Sequence, residues 1–255
     1  MMSQLRLESF GATHVGCVRT NNEDSYWVSP ERSIWLVADG MGGHEKGEWA
    51  SAAITGAISE VTLSHDFNAD CTAIADAIHG ANARIFAEAR KQGVQMGSTV
   101  VVLHVSGAHF ALFWVGDSRG YLLRGGVLHQ LTSDHSQVQA MVDRGLIAPE
   151  DAAGHPMAHV LARAVGAQAG LAVDVITDEA QPGDVFLLCS DGLTGRIADE
   201  EIAAVLAQEG HRAALDRLIA LTLERQAPDN VTAVIVAASE ATRLALPQAA
   251  GGVQR

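Results

Sequence analysis

The sequence has few of the features that mark membrane, disulfide-linked or nucleic-acid-binding proteins. Its 255 residues include three cysteines, and 17 Lys and Arg stand against 30 Asp and Glu, which leaves a formal net charge of −13. An acidic chain repels nucleic acid and anionic membrane and attracts cations. The longest apolar runs are shorter than the ~20 residues that a membrane span needs. We therefore expect no nucleic-acid partner and no membrane partner.

The cysteines Cys17, Cys71 and Cys189 are odd in number and have no CxxC spacing. This pattern argues against a disulfide framework, a zinc site or a redox pair, and predicts buried thiols in a reducing compartment. Neither end carries a basic segment followed by an apolar run, as an export signal would. The sequence therefore predicts a cytoplasmic protein.

The chain is rich enough in apolar residues, at 48%, to bury a sizeable core. Because the predicted strands are spread along it with no Pro/Gly/Ser-rich linker, we expect a single domain over residues 1–239. The tail from 240 to 255 contains Pro247, Gly251 and Gly252 and is expected to fray.

Strand and helix patterns alternate in groups. Residues 5–13, 24–29 and 33–38 predict an opening β-meander, and 97–130 predicts consecutive antiparallel strands. Helical spacing covers 47–61, 68–91, 199–208 and 213–226, and further strands are expected at 173–177, 185–189 and 231–237. Between them, 136–170 predicts an irregular excursion with a short helix at 138–144. Runs of strands separated by paired helices favour a layered α+β fold over a doubly wound parallel sheet.

Four aspartates share one predicted local pattern, in which a short apolar strand ends and an Asp lies in a turn next to Gly or Asn. They occur in LVADGMGG (Asp39), FWVGDSRG (Asp117), FLLCSDGL (Asp191) and APDNVTAVIV (Asp229). For any one of them alone, an ordinary turn is the favoured interpretation. If they converge, however, their burial requires cations, and hard divalent ions prefer oxygen ligands. The set predicts an Mn²⁺ or Mg²⁺ site.

Arg19 precedes Asn21-Asn22-Glu23-Asp24 at short range. This segment can be a polar turn whose side chains bond their own backbone. Alternatively, the Arg19 guanidinium binds two phosphate oxygens in a fork, and Asp24 adds to the metal site directly or through water.

Other candidates for chemistry are weaker. His44 begins HEKGE, which is not the HExxH of zinc proteases, and we expect a loop or surface role for it. His135 is expected to set a loop with the hydroxyls of Thr132 and Ser136. Ser190 lacks a nucleophile elbow or an orienting base, and no Gly-rich nucleotide loop occurs. Covalent catalysis and nucleotide-triphosphate chemistry are therefore disfavoured.

The ordered segments RTNNEDS, VADGMGGH, GST, VGDSRGY, LTSDHS, LARAVG, CSDGL and PDNVT resemble the metal-dependent protein phosphatase family, PPM or type 2C, in its bacterial form. The resemblance spans about residues 10–237. It implies a four-layer α-β-β-α sandwich with two central antiparallel sheets. It also implies hydrolysis of phosphoserine and phosphothreonine in proteins by a metal-bridging water, without a phosphoenzyme.

The resemblance also assigns roles by position. Asp39, with the carbonyl of Gly40, would bridge two Mn²⁺ or Mg²⁺ ions. Asp191 and Asp229 would bind the first ion, and Asp24 would serve the second through water. Asp117 with Asp191 would hold a third, weaker ion, and Arg19 would bind the substrate phosphate. The catalytic residues are then Arg19, Asp39 and Asp191.

One position departs from the animal members of the family, which carry His directly after this Asp-Gly, where the chain has Met41. The acid that protonates the leaving group is therefore unassigned, with metal-bound water as the default candidate. Residues 137–170 match the family's variable flap beside the active site.

Bacterial relatives of this compact form often oppose a Hanks-type serine/threonine kinase, sometimes one that governs type VI secretion. We accordingly expect a monomer that acts on phosphoproteins, among them such a kinase and its targets. Two alternatives stay open. One is a regulatory pseudophosphatase, which the intact set of acids disfavours. The other is hydrolysis of a small phosphate ester or a phosphorylated anti-sigma antagonist, which activity on phosphopeptides would separate from the main hypothesis.

Overall fold

The computed structural model describes residues 5–43, 45–64, 66–152, 155–157 and 160–241. The strands are β1 (Leu5–His14), β2 (Asp24–Ser29), β3 (Ile34–Met41), β4 (Gly97–Ser98), β5 (Val100–Ser106), β6 (His109–Val115), β7 (Arg119–Arg124), β8 (Val127–Gln130), β9 (Asp174–Glu179), β10 (Val185–Cys189) and β11 (Val231–Glu240). The helices are α1 (Glu45–Ser59), α2 (Phe67–Gln92), α3 (Gln137–Asp143), α4 (Pro149–Ala152), α5 (Asp191–Thr194), α6 (Asp199–Gln208) and α7 (His211–Glu224).

The strands form two antiparallel sheets. The first sheet has the order β1-β11-β10-β7-β8, and the second has the order β2-β3-β5-β6-β9 with β4 paired to β3. Helices α1 and α2 pack on the outer face of the second sheet, and α6 and α7 pack on that of the first. The result is the predicted four-layer α-β-β-α sandwich, which confirms the α+β fold class.

Side-chain alternation along the strands builds these layers. In β3, Ile34 and Leu36 point to the helices, whereas Trp35 and Val37 point to the opposite sheet. Successive side chains of a strand face opposite sides, and both sides of a central strand are covered here. An almost unbroken apolar segment is therefore what a strand between two packed layers requires.

The long helix α2 is bounded as its sequence indicates. The Asp66 side chain caps it by accepting a hydrogen bond from the Ala69 N–H at 2.9 Å. At the other end, Gly93 adopts a left-handed conformation with φ of 66° and donates its N–H to carbonyls of the last turn. The predicted helix over 68–91 is confirmed.

The topology corrects two predictions. The opening strands are not one meander, because β1 pairs with β11 in the first sheet while β2 pairs with β3 in the second. Likewise 97–130 is divided, since β5 and β6 belong to the second sheet and β7 and β8 to the first. Short connections suggested neighbouring strands, but the chain crosses between sheets at both places. Helix α5 was not predicted.

The cysteine prediction was wrong in part. Cys189 is buried, but Cys71 is half-buried and Cys17 is exposed. Cys17 lies in the loop after β1, where a local apolar pattern does not imply burial. Within the described residues, no helix combines the length and the apolar character that crossing a bilayer would require. The predicted tail lies outside the described residues from 242 onward.

Candidate active site

Two of the acids face each other across neighbouring strands. Asp24 begins β2 and Asp39 lies within β3, and the register of this pair places them directly opposite each other. Opposed side chains have Cβ atoms roughly 5 Å apart, and like charges at that distance repel. The pairing therefore brings two carboxylates together at an energetic cost.

The first sheet supplies two more acids at the same end of the sandwich. Asp191 is the first residue of α5 and is separated from the end of β10 by Ser190, while Asp229 lies just before β11. A Cβ on Gly192 would lie 1.9 Å from the carbonyl oxygen of Asn230. Glycine after Asp191 therefore allows the two segments to approach each other closely. Asp117 lies on the connection from β6 to β7, where the chain passes between the sheets.

The expected strand-end setting is correct for Asp117 and Asp191 and wrong for the other two acids. Asp39 lies inside its strand because Gly40 and Met41 continue it by pairing with β4. Asp229 precedes a strand instead of following one. The four acids meet because strand ends from both sheets collect at one edge, not because their local settings are alike.

The acids border a cleft of about 1090 Å³. The predicted site residues that line it are Arg19, Asp39, Gly40, Asp117, Asp191 and Asp229. Asp24 is 9% exposed and lies behind this lining. All the predicted ligand positions are thus in or directly behind one cleft.

Three of these carboxylates have raised pKa values. Burial, followed by repulsion from Asp191 and Asp229, raises the pKa of Asp24 to about 7. Burial and the charge of Asp191 also raise the pKa of Asp117 to about 7. The pKa of Asp39 is raised well above its usual value by burial and then by Asp24. The site therefore strongly favours the arrival of positive charge.

Asp24 has one satisfied and one unsatisfied oxygen. Its Oδ2 accepts a hydrogen bond from the Ser190 hydroxyl at 2.8 Å, whereas its buried Oδ1 accepts none from the residues that the structure describes. A buried carboxylate oxygen without a partner is costly unless a cation is near. Ser190 is itself fully buried, and its hydroxyl also accepts the Thr232 N–H at 3.0 Å. Its role is to hold Asp24 and Thr232, which agrees with its exclusion as a nucleophile.

The residues present fit hard divalent cations. Among the described residues lining the cleft there is neither His nor Cys, and the donors are carboxylate and backbone oxygens, which Mg²⁺ and Mn²⁺ prefer. In the described part of the chain, no three Asp, Glu, His or Cys side chains are gathered around a single point. The carboxylates instead line the cleft or lie directly behind it.

Gly40 is required by the crowding of its backbone. A Cβ there would lie 2.1 Å from the Gly47 carbonyl oxygen and 2.6 Å from that of Glu23. The Gly40 N–H also donates to the Glu23 carbonyl at 3.1 Å. Any side chain at this position would push the start of α1 away from the strand that carries Asp39.

Arg19 lies on the loop between β1 and β2 and also lines the cleft. Its Nη2 donates to Asp229 Oδ2 at 2.9 Å, and its side chain stays 54% exposed. The hydrogen bond to Asp229 raises the pKa of Arg19 above its already high ordinary value. A charged and accessible guanidinium beside the acids is placed to meet an anion that enters the cleft.

Asn230 fixes the loop that carries Arg19. Its side-chain oxygen accepts the Glu23 N–H at 2.8 Å, and its amide group donates to the Val15 and Asn21 carbonyls at 2.9 Å. The residue is 5% exposed. Asn230 therefore holds both sides of the loop against the start of β11, next to Asp229.

Three residues of the site were missed by sequence reasoning, namely Glu23, Thr99 and Asn230, all of which line the cleft. Thr99 accepts the Asp39 N–H on its hydroxyl at 3.0 Å and donates its own N–H to the Asp39 carbonyl at 2.8 Å. Each missed residue lies beside a predicted one or in a quoted motif. Their roles depend on contacts between distant segments, however, and a single sequence does not show these.

The two highlighted histidines have different outcomes. His44 lies outside the described residues. His135 does set a loop, but through its ring: Nδ1 accepts the Gly116 N–H at 3.1 Å and Nε2 lies 3.1 Å from Asp174 Oδ2. The hydroxyl of Ser136 separately caps α3 through the Gln139 N–H.

Comparisons with known proteins agree with this geometry. A model of the protein phosphatase 2C family matches residues 11–236. The chain is 39% identical over 225 residues to the serine/threonine protein phosphatase PstP of Mycobacterium tuberculosis, which covers 86% of this chain and 43% of the relative. The present chain thus spans less than half the length of that relative.

Solved structures repeat the fold. PppA, described as a key regulatory component of T6SS in Pseudomonas aeruginosa, superimposes with a TM-score of 0.84 at 39% identity, covering 93% of this chain and 99% of that one. The catalytic domain of PstP, solved in complex with 2 manganese ions, gives 0.82 at 35% identity and covers 92% and 100%. Since the family pattern extends over most of the sequence and its two-sheet fold surrounds the acidic cleft, the chain belongs to the protein phosphatase 2C family.

Proposed function

We propose that this chain is a metal-dependent serine/threonine protein phosphatase that hydrolyses phosphate monoesters with a pair of Mn²⁺ or Mg²⁺ ions. The observation that carries the proposal is the convergence of Asp24, Asp39, Asp117, Asp191 and Asp229 on one cleft. The relative solved with 2 manganese ions supports the choice and number of ions.

The predicted roles suit the positions of the residues. Asp39, with the Gly40 carbonyl, would bridge the two ions, Asp191 and Asp229 would hold the first, and Asp24 would serve the second. Asp117 with Asp191 would hold a third, weaker ion. When bound, the ions supply Lewis acidity at the phosphoryl oxygens and a water of lowered pKa as the nucleophile.

The protein's own residues would bind and orient the substrate phosphate. Arg19, held by Asp229 at 2.9 Å, presents a charged guanidinium to the phosphate. Among the described residues lining the cleft, Thr99 is the single hydroxyl, and it is 3% exposed and bonded to the Asp39 N–H and to Ser118. Since these residues offer no cysteine and no free hydroxyl, attack by a thiol or hydroxyl of the chain is disfavoured there, and water is the proposed nucleophile.

Further parts of the proposal are the extent of the domain, the substrates, the location and the oligomeric state. We propose one phosphatase domain over residues 1–239 with the flap at about 137–170, which the family match over 11–236 supports. The substrates would be phosphoproteins, among them a serine/threonine kinase and its targets. The enzyme would act in the cytoplasm as a monomer.

The test is phosphate release from a phosphothreonine peptide by purified protein in Mn²⁺, in Mg²⁺ and after EDTA treatment. We expect release in either metal, its loss in EDTA and its return when metal is restored. A folded protein that releases no phosphate under any of these conditions would overturn the proposal and favour the phosphoprotein-binding alternative. Light scattering on the same sample reports the oligomeric state.

A further inference from the structure

A second pocket, of about 380 Å³, adjoins the catalytic cleft. The two share Met41 and Gly42, which follow directly on the ligand pair Asp39-Gly40. The remaining walls come from the C-terminal part of α2, the segment before β4, and the end of the flap at Gly166 and Ala167. A groove thus leads from the proposed metal site toward α2.

The walls of this pocket are fixed by close packing. Gly42 has a φ of +135°, and a Cβ there would lie 2.9 Å from the Met96 Cβ. Gly166 has a φ of +86°, and a Cβ there would lie 2.1 Å from the side chain of Ile85 on α2. Side chains at either position would be strained and crowded. The pocket is therefore a built feature and not a gap between loose loops.

The end of the flap is tied to α2 by a buried amide. Asn82 is 2% exposed, and its side-chain oxygen accepts the Gly166 N–H at 2.7 Å. Its amide group donates to the carbonyls of Gln168 and Ala169 at 3.1 and 3.3 Å. Because every bond is to backbone, the anchor holds the path of the chain and does not depend on flap side chains.

The chemistry of the pocket points to an apolar occupant with an acidic neighbour. Phe86, Ala89, Val94 and Met96 make its inner surface apolar. Arg90 lies at this pocket with its guanidinium 5.9 Å from the centre of the Phe86 ring, and within the described residues it forms no ion pair with a carboxylate.

We propose that this pocket binds an apolar side chain of the phosphoprotein substrate near its phosphorylated residue, and that Arg90 pairs with an acidic residue beside that side chain. The proposal rests on the phosphatase function above and adds a sequence preference to it. From Gly40 to Gly42 is two residues, at most about 7 Å of extended chain. The substrate side chain is accordingly expected about two or three residues from the phosphorylated one.

The test is a scan of phosphothreonine peptides in which one Leu is moved through the positions on either side of the phosphothreonine in an Ala/Ser background. We expect one position to raise kcat/KM by about tenfold, the range for adding apolar contact in a pocket. An Asp next to that Leu should add about two- to fivefold, as an exposed ion pair would. The flankless substrate p-nitrophenyl phosphate reports the chemistry alone.

Variants connect these preferences to the pocket. Ala167→Trp, and independently Val94→Trp, should remove the preference for Leu. With kcat/KM for p-nitrophenyl phosphate as the reference, the Leu peptide should then react no faster than the all-Ala/Ser peptide. Ala169→Trp, an exposed flap residue that does not line the pocket, is the matched control and should keep the preference. Arg90→Ala should remove the Asp effect alone, and Lys91→Ala, the same charge one residue along, should not.

The outcomes are separable. Equal rates for Leu at every position, or a Leu preference that survives both Trp variants, would overturn the proposal while the phosphatase function stands. If Lys91→Ala abolished the rate gain from the added Asp as fully as Arg90→Ala does, the gain would come from the general positive charge of this surface and not from a pair with Arg90. Failure of p-nitrophenyl phosphate hydrolysis by the unmodified protein would be a failure of the phosphatase function itself.

Discussion

Strand β10 has an aspartate near each of its ends, Asp184 and Asp191, and the surroundings of these two carboxylates differ. At the start, Asp184 is 1% exposed, and Arg124 donates to its two oxygens from Nε and Nη2 at 2.8 and 2.7 Å. The Gln181 N–H adds a third bond at 2.7 Å. At the other end, Asp191 lies among acids whose pKa values it raises.

Strand β7, next to β10, sharpens the contrast because it has an arginine at each end. Arg124 pairs with Asp184, but Arg119 at the cleft end donates to both oxygens of Asp134, at 2.8 to 3.2 Å, and not to the nearby Asp117. Arg119 is thus two residues from Asp117 in the chain, yet its guanidinium pairs with Asp134. At one end, buried charge is thus neutralised by an arginine of the chain. At the other, the pKa values of Asp24, Asp39 and Asp117 stay raised, which favours an incoming cation.

The largest expected effect is the loss of activity from a change at the acidic end. Asp191→Asn removes a proposed ligand of the first ion while preserving shape, so kcat/KM in Mn²⁺ should fall on the order of a thousandfold. Stability of the EDTA-treated variant should be unchanged or higher, because a repelling charge is gone. Steady-state kinetics with a phosphothreonine peptide and urea unfolding check the two parts. Activity within a few-fold of the unmodified protein would remove Asp191 from the metal site.

The reverse result is expected at the paired end. Asp184→Asn leaves Arg124 without its buried partner and should lower the free energy of unfolding by about 3 kcal/mol, while kcat/KM of the folded variant is preserved. Asp178→Asn is the control, since Asp178 is 60% exposed and 3.7 Å from Arg124. It should change stability by less than about 0.5 kcal/mol. If Asp184→Asn lost activity without losing stability, the contrast between the two ends would be wrong.

The pH dependence of stability should differ from that of an ordinary acidic protein. Because the folded-state pKa of Asp24 is about 7, against an ordinary value of 3.8, the fold holds a proton that the unfolded chain has released. Its contribution is complete below the unfolded pKa and is lost as pH rises through the folded one. Between pH 5 and 7, Asp24 alone should therefore account for a loss of about 2 kcal/mol of stability in EDTA-treated protein, and Asp39 and Asp117, whose pKa values are also raised, should add to it.

Urea unfolding at several pH values measures this slope. The Asp24→Asn variant should show a shallower slope, because the amide does not titrate, and saturating Mn²⁺ should flatten the slope of the unmodified protein. If the EDTA-treated Asp24→Asn variant lost stability with rising pH as steeply as the unmodified protein, then Asp24 would not be held protonated in the fold.

Much of this site follows from local sequence, and the part that does not has a physical cause. The position of Asp191 after an apolar strand was predictable because FLLC has the unbroken apolar character of a strand covered on both faces. The position of Asp229 was not, since the strand that organises it comes after it. Likewise β1 pairs with β11, at the other end of the chain, and no short-range pattern specifies such a partner.

The contacts that hold the site together were the least predictable. Asn230 reads as a turn residue in PDN, yet its value lies in bonds to Val15, Asn21 and Glu23 more than 200 residues away. In the same way, the sequence showed that acids were abundant but not that the Arg119 guanidinium would donate to Asp134 instead of Asp117. Sequence patterns predict the candidate ligands, and tertiary pairing determines which charges are neutralised within the chain.

The smallest expected effect concerns Arg19, whose guanidinium donates to the proposed ligand Asp229. Arg19→Lys keeps the charge but loses the planar fork, so kcat/KM should fall by about tenfold, with most of the change in KM. Stability should hardly move, because the pair with Asp229 is exposed at 54% and 40% and such pairs contribute less than about 1 kcal/mol. Arg196→Lys, at another arginine that lines the cleft, is the control and should leave the kinetics near those of the parent. If Arg19→Lys instead lowered stability as Asp184→Asn does, Arg19 would act at the acidic end as Arg124 acts at the paired end, and the difference between the two ends would be one of degree.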